Sequence, residues 1–224
     1  MSGRILVFDM DGVLVDATES YREAVQQTVE HFAGRRVERE LIQDYKNQGG
    51  WNNDWELSHH FIQGFGVEVA YGDVVDYFNG IFLGADGLIY RERWVARDGL
   101  LERLAKRFQL ALFTGRLTIE AQVTLDRFAP SLRFDPIVTA DDDAAPKPSP
   151  EGLLRIGRLN PGKDLWYVGD TVDDARSARQ AGVPFIGIAA PLNPRRRELI
   201  GLFQSENAIA ILDDINQLEG ALPQ

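Results

Sequence analysis

Residues Arg4 to Asp16, RILVFDMDGVLVD, constrain this chain more than any other stretch. The apolar run Ile5-Leu6-Val7-Phe8 has no polar alternation, which predicts a strand buried on both faces, as in parallel sheets. It ends on two carboxylates, Asp9 and Asp11, with Gly12 directly after. A strand that delivers acids at its carboxyl end, followed by a glycine that lets the backbone turn, builds a site at the rim of an open α/β sheet. Two residues apart on a regular strand, both acids point to one face. Like charges that close call for a cation or a shared proton. An acidic strand-end turn without chemistry satisfies the same pattern, so the rest of the chain has to decide.

After Asp16 the texture is helical as far as about residue 82. Tyr21, Ala24, Val25, Thr28, Val29 and Phe32 fall at helical spacing, with Thr18 as the expected cap. Further helices are expected near 38–47, 54–64 and 70–82. Gly84-Ala85-Asp86-Gly87 breaks the pattern, and Leu88 to Arg97 leads back. From Asp98 onward helix and strand alternate, with strands expected at 109–114, 135–140, 165–169, 184–189 and 208–212. Helices are expected between them at 98–107, 118–128, 150–158, 173–181 and 195–203. Such alternation implies a parallel sheet with helices on both faces. The first strand belongs to that sheet. The expectation is therefore an α/β, doubly wound, Rossmann-like core from residues 1–16 and 89–224, interrupted by an α-helical insert at 17–88.

Composition narrows the function. With 24 basic and 34 acidic side chains the net charge is −10, which argues against nucleic acid or an anionic membrane surface as the main partner. Arg195-Arg196-Arg197 follows Asn193-Pro194, a helix-start pattern, so a solvated helical turn is expected there. No cysteine is present, which excludes disulfides, thiolate catalysis and cysteine-ligated metals. Met1-Ser2-Gly3 runs straight into strand residues with no signal-peptide pattern or membrane-length apolar run, so a cytoplasmic protein, monomer or homodimer, is the expectation.

The chemistry follows from the strand ends. The second core strand ends in Thr114-Gly115-Arg116, the third is followed by Lys147-Pro148-Ser149-Pro150, and the fourth ends in Gly169-Asp170-Thr171-Val172-Asp173-Asp174. In a parallel sheet these ends share one edge, where such folds place their ligand. That edge collects Asp9, Asp11, Thr114, Lys147, Asp170 and one of Asp173 or Asp174. An all-oxygen set suits Mg²⁺, and a lysine and hydroxyl beside it suit the equatorial oxygens of a phosphoryl group. A carboxylate within reach can attack phosphorus to give an aspartyl-phosphate. Each feature taken singly has a plainer reading as a turn, a solvated charge or a helix N-terminal acid. Four together at strand ends favour chemistry.

The ordered set DMDGVLVD, TGR, KPSP and GDTVDDARSARQAG resembles the haloacid-dehalogenase-like hydrolase superfamily, in the class with an α-helical cap between its first two motifs, similar to phosphoglycolate phosphatases and β-phosphoglucomutases. The resemblance implies Asp9 as nucleophile, Asp11 as general acid and base, and Thr114 and Lys147 as phosphoryl-holding groups. It also implies Mg²⁺ held by Asp9, the Asp11 main-chain carbonyl and Asp170, with Asp174 supporting through water. An acid at position 11 favours phosphoryl transfer over dehalogenation, and the expected substrate is a small phosphorylated metabolite. A phosphosugar mutase, a phosphonate hydrolase using the cap's single lysine, Lys46, and a non-catalytic binding protein remain as alternatives. Arg116 stands where many members carry Asn. It is either a substrate contact beside Gly115, or an arginine facing solvent or paired with a local acid.

Substrate choice is expected from the cap loop Lys46-Asn47-Gln48-Gly49-Gly50-Trp51-Asn52-Asn53-Asp54-Trp55, with Asn53 or Asp54 capping the next helix. The loop resembles one in a branch of the family sometimes labelled in connection with histidine biosynthesis. Either both tryptophans pack inside the cap, or the loop faces the site. We expect Trp51, Asn52 and Asn53 to face the active site and Trp55 to pack into the cap. His31, His59 and His60 read as ordinary cap residues.

Overall fold

The computed structural model describes residues 3–223. The chain opens with β1 (Arg4–Phe8) and a two-residue β2 (Val15–Asp16). Four helices follow: α1 (Tyr21–Ala33), α2 (Arg39–Gln48), α3 (Asp54–Gly64) and α4 (Tyr71–Leu83). A 3₁₀ turn over Leu88–Arg91 leads into β3 (Arg93–Trp94), which pairs antiparallel with β2. Alternation then begins with α5 (Leu100–Ala105), β4 (Gln109–Phe113), α6 (Thr118–Phe128) and β5 (Phe134–Val138). It continues through α7 (Glu151–Leu159), β6 (Asp164–Gly169), α8 (Val172–Ala181) and β7 (Phe185–Ile188). The series closes with α9 (Arg196–Ser205), β8 (Ala210–Leu212) and α10 (Leu218–Ala221).

Six strands form one parallel sheet in the order β5-β4-β1-β6-β7-β8. The unalternated apolar run of β1 has its cause here. Leu6 and Phe8 enter one apolar cluster with α5, α6 and α10, while Ile5 and Val7 enter another with α7, α8 and α9. The period of two sends successive residues to opposite faces, and both faces are covered. The chain steps from β1 outward to β4 and β5, then returns to the other side of β1 for β6. The carboxyl ends of β1, β4 and β6 therefore flank the point where the winding reverses, the crevice in which open α/β sheets bind ligands.

Helices α1 to α4 bury a third apolar cluster, built on Ala24, Val25 and Val29 of α1, Phe61 and Ile62 of α3, and Val74, Phe78 and Phe82 of α4. Gly34 ends α1 in the left-handed conformation, its N–H bonding the Glu30 carbonyl. Two local expectations need correction. Thr18 does not cap α1, because the helix begins three residues later at Tyr21 and the Thr18 N–H bonds Asp16 Oδ1 instead. Helix α9 begins at Arg196, and the arginine run is not merely solvated: Arg195 pairs with Asp44 of α2, and Arg196 with Asp213. Among the described residues no helix is long and apolar enough to cross a membrane.

Candidate active site

The strand ends deliver their residues to one place. Asp9 continues the β1 ladder, its N–H bonding the Val168 carbonyl of β6 at 2.8 Å, and the Thr114 N–H bonds the Val138 carbonyl at 3.0 Å. Gly12 turns the chain at φ +71°, and a Cβ there would fall 1.9 Å from Asp170 Oδ2, so both the turn and the close approach require glycine. Asp9, Asp11, Thr114, Gly115, Arg116, Lys147 and Asp170 line a cavity of about 910 Å³ between the sheet edge and the helical layer.

At its floor, Lys147 Nζ lies 2.7 Å from Asp9 Oδ1 and 2.8 Å from Asp174 Oδ1. Asp174 is held on every side: Tyr167 Oη donates to its Oδ1 at 2.6 Å, and the N–H and hydroxyl of Thr171 donate to its Oδ2 at 2.9 and 2.6 Å. Burial works against the charge of Asp174, but Lys147, Thr171 and Tyr167 outweigh it and keep the carboxyl below its usual range. For Asp9, burial outweighs Lys147 and pushes the carboxyl up to about 7, helped by the charges of Asp174 and Asp11. Asp170 is raised well above its ordinary value by burial, then by Asp9 and Asp174.

These carboxylates fit a divalent cation. One oxygen each from Asp9, Asp170 and Asp174 lie within 4.8 Å of one another. Among the described residues no donor hydrogen-bonds to the Asp170 carboxylate, although Arg22 acts on it electrostatically. Once ionised, the three carboxylates against one ammonium would leave two negative charges for a cation to offset, and the donors are all hard oxygens. The Asp173 or Asp174 alternative resolves spatially. Asp174 joins this cluster, whereas Asp173 accepts the Gly50 N–H at 2.8 Å and ties α8 to the cap loop.

Asp11 lies outside the cluster. Its carboxylate, about one third exposed, is clasped by Arg116, with Nε on Oδ2 at 3.0 Å and Nη2 on Oδ1 at 2.7 Å. Arg116 is 1% exposed, so the solvent-facing alternative fails. It pairs with Asp11 itself and with Glu92 Oε1 at 2.6 Å, and donates to Thr124 Oγ1 at 2.8 Å. Its guanidinium also lies over the Tyr21 ring. So the two acids two residues apart are each offset by a separate cation.

The cap loop meets the core where Asn52 Nδ2 would come within 2.6 Å of a Cβ at Gly115. Asn52 and Asn53 line the cavity, and Asn53 is the cap of α3, its Oδ1 accepting the N–H groups of Trp55 and Glu56. Of the two tryptophans, only Trp51 departs from expectation, since both pack against the apolar cluster of the cap. Trp51 does not line the cavity but packs against His60 and Tyr45, with centroids at 4.6 and 5.4 Å. Trp55 packs into the cap as expected, edge-on to Phe78 and with its Nε1 donating to Asn79 Oδ1, and it also lines the cavity. Gly49 and Gly50, both at positive φ, turn the chain back so that the residue after them meets α2 and α3. The cap lysine also departs from the solvated reading: Lys46 is buried, lines the cavity, and pairs with Asp54 at 2.8 Å. His31 stacks on Tyr77, His59 meets the Val69 carbonyl and His60 the Tyr45 hydroxyl, all within the cap.

Sequence reasoning missed Glu92, Thr124 and Tyr167, which hold the charged groups in place. Only Tyr167 carried a signal, as a hydroxyl-bearing residue inside an otherwise apolar buried strand.

A family model for haloacid dehalogenase-like hydrolases matches residues 4–182. The chain is 33% identical over 198 residues to a protein named imidazoleglycerol-phosphate dehydratase from Phytophthora nicotianae, covering 83% of this chain but only 43% of that protein, so it spans less than half that relative's length. It is 28% identical to a probable phosphatase, IndB, from Dickeya dadantii, covering 82% of this chain and 80% of that one. A crystal structure of a putative phosphoglycolate phosphatase from Lactobacillus plantarum superposes with a TM-score of 0.73 at 15% identity, covering 99% and 100% of the two chains, a likeness of fold.

Two outcomes are expected. Asp9 holds its proton to about pH 7 in the fold but only to about 3.8 in the unfolded chain. The unfolded state therefore binds fewer protons between these values, and stability of the metal-free protein falls as pH rises through them. A divalent cation competes with that proton, so Mg²⁺ should raise Tm, and more at about pH 8 than at about pH 6. An absent or pH-independent rise would contradict the cation site. Second, Trp51→Ala should destabilise by about 1–3 kcal/mol in denaturant unfolding with KM nearly unchanged, whereas Trp55→Ala should destabilise by a similar amount and also raise KM. The reverse outcome would place Trp51 at the substrate.

Proposed function

The chain belongs to the haloacid dehalogenase-like hydrolase family, and on that premise we propose that it is a Mg²⁺-dependent phosphatase. In this reading it hydrolyses a small phosphorylated metabolite through an aspartyl-phosphate on Asp9, with residues 17–88 as the cap. The observation that carries the reading is the floor of the cavity, where one buried lysine bridges Asp9 and Asp174 while, among the described residues, no donor hydrogen-bonds to Asp170.

Asp9 Oδ1 is committed to Lys147, which leaves Oδ2 to attack phosphorus. A P–O bond forms to Asp9 as the P–O bond to the leaving group breaks, and Asp11 gives its proton to the departing oxygen. Asp11, now a carboxylate, takes a proton from water, whose oxygen attacks phosphorus. The Asp9–phosphorus bond breaks, inorganic phosphate leaves, and Asp9 regains its carboxylate. Lys147 and the buried hydroxyl of Thr114 hold the phosphoryl oxygens as charge moves between them. Asp9, Asp170 and the Asp11 carbonyl would hold Mg²⁺, which would supply charge neutralisation for the dianionic phosphoryl group. Asp174, with all its bonds made to Lys147, Thr171 and Tyr167, keeps Lys147 in place. Discrimination comes from the cap wall, where Asn52, Asn53 and Trp55 face the leaving group.

One observation favours a second reading. Lys46 is a buried cap lysine that lines the same cavity, where Schiff-base cleavage of a phosphonate would need an amine. Its engagement by Asp54 and by the Asn52 carbonyl at 3.4 Å weighs for the phosphatase.

With purified protein, 4-nitrophenyl phosphate should be hydrolysed only with Mg²⁺ present. Asp9→Asn, which keeps shape but removes the nucleophile, should lose several orders of magnitude in kcat, on the order of 10⁴ or more. Near-normal turnover by Asp9→Asn would refute the covalent mechanism. A borohydride adduct on Lys46 formed with an aldehyde-bearing phosphonate would favour the second reading.

A further inference from the structure

We propose that Arg116, Glu92 and Thr124 form a positioning device for Asp11, so that Arg116 acts through the general acid rather than on the substrate. The proposal rests on the phosphatase reading above.

Arg116 has almost no surface left for a ligand. Nε and Nη2 hold both oxygens of Asp11, Nη2 also holds Glu92 Oε1, and Nη1 holds Thr124 Oγ1, all between 2.6 and 3.0 Å. The Thr124 hydroxyl donates onward to Glu92 Oε2 at 2.7 Å, which closes a ring of three side chains. Glu92 and Arg116 are each 1% exposed at the side chain, whereas Asp11 is 32% exposed, so the assembly is anchored in the protein and presents Asp11 to the cavity.

The parts come from three separate elements. Arg116 follows β4, Thr124 lies on α6, and Glu92 lies just before β3 on the segment returning from the cap helices. Tyr21, at the start of α1, closes the other side: its ring lies under the guanidinium, 4.9 Å away, and its hydroxyl donates to Glu120 at 2.8 Å. Both chain segments joining cap to core therefore contribute to fixing one carboxylate. A planar guanidinium with two parallel bonds defines the plane of a carboxylate as well as its place, which an ammonium cannot do. Glu92 matters because a buried arginine facing Asp11 alone would be neutralised only by the group that must gain and lose a proton. Glu92 gives the Arg116 charge a buried partner of its own, so that its compensation does not depend on Asp11 alone.

The test compares kcat/KM, which reports the steps up to departure of the leaving group, across 4-nitrophenyl, phenyl and alkyl phosphates with Mg²⁺. Positioning of the acid matters most where the departing oxygen is most basic. Glu92→Gln and Arg116→Lys should each lose about 10–100-fold on phenyl and alkyl phosphates. Neither should lose more than a few-fold on the nitrophenyl ester. KM should be nearly unchanged, and Arg116→Ala should show the same selectivity with a larger loss than Arg116→Lys. Thr124→Val removes one link without altering charge and should show the pattern more weakly, which keeps the proposal testable if Arg116→Ala does not fold. A loss equal across all leaving groups and carried by KM would show that Arg116 binds substrate. Lower Tm with unaltered kcat/KM would show a structural role only, and either result overturns the proposal. A wild-type enzyme inert toward every ester would overturn the phosphatase reading itself, and the proposal with it.

Discussion

A single ammonium group, Lys147 Nζ, lies between two buried carboxylates, and the rest of the site depends on that contact. Removing one partner from such a buried group costs about 3–5 kcal/mol, because the remaining charge is left without compensation. Lys147 therefore determines where Asp9 and Asp174 can stand. Asp174 is fixed further by Thr171 at the start of α8 and by Tyr167 from within β6. The lysine in turn sits over the rings of Phe113 and Tyr167. A side chain delivered by a long loop after β5 is thus held as firmly as one on a strand. What remains is an excess of negative charge around Asp9 and Asp170, in a setting where only a compact cation or a proton can offset it.

The second cation, Arg116, does for Asp11 what Lys147 does for Asp9, with different chemistry. Lysine offers a point charge that two acids share, which suits the approach to phosphorus proposed for Asp9. Arginine offers a planar fork, which suits a carboxylate whose orientation toward a departing oxygen matters. Two acids two residues apart are thereby separated into two environments, one buried beside a lysine shared with Asp174, the other about one third exposed and held by an arginine. In the proposed mechanism, environment more than residue type assigns them different tasks.

Much of this was legible in the sequence because the informative signals are local. The unalternated run before Asp9, the glycine after Asp11 and the recurrence of strand, turn and acid each report on a few neighbouring residues. The sheet then brings the strand ends together by topology alone. What escaped depends on contacts between distant residues. Glu92 sits in an unremarkable stretch, and only the fold places it against Arg116, 24 positions away. Because nothing near it in sequence marks it as buried, Arg116 read as a substrate contact, a surface residue or the partner of a local acid, and only the last holds. Trp51 packs into the cap and not toward the site because two glycines at positive φ reversed the chain ahead of α3, a geometry that composition permits but does not specify. Lys46 read as solvated for the same reason, since its partner Asp54 lies beyond that reversal.

The central claim is that Asp9 carries the phosphoryl group during turnover. Rapid acid quenching during hydrolysis of a generic aryl phosphate, followed by borohydride reduction and peptide mass spectrometry, reads this directly, because reduction of an acyl phosphate converts the aspartate that bore it to homoserine. The account predicts homoserine at position 9, dependent on substrate and Mg²⁺. Unmodified Asp9 throughout turnover, or homoserine at Asp11 or Asp170 instead, would contradict it.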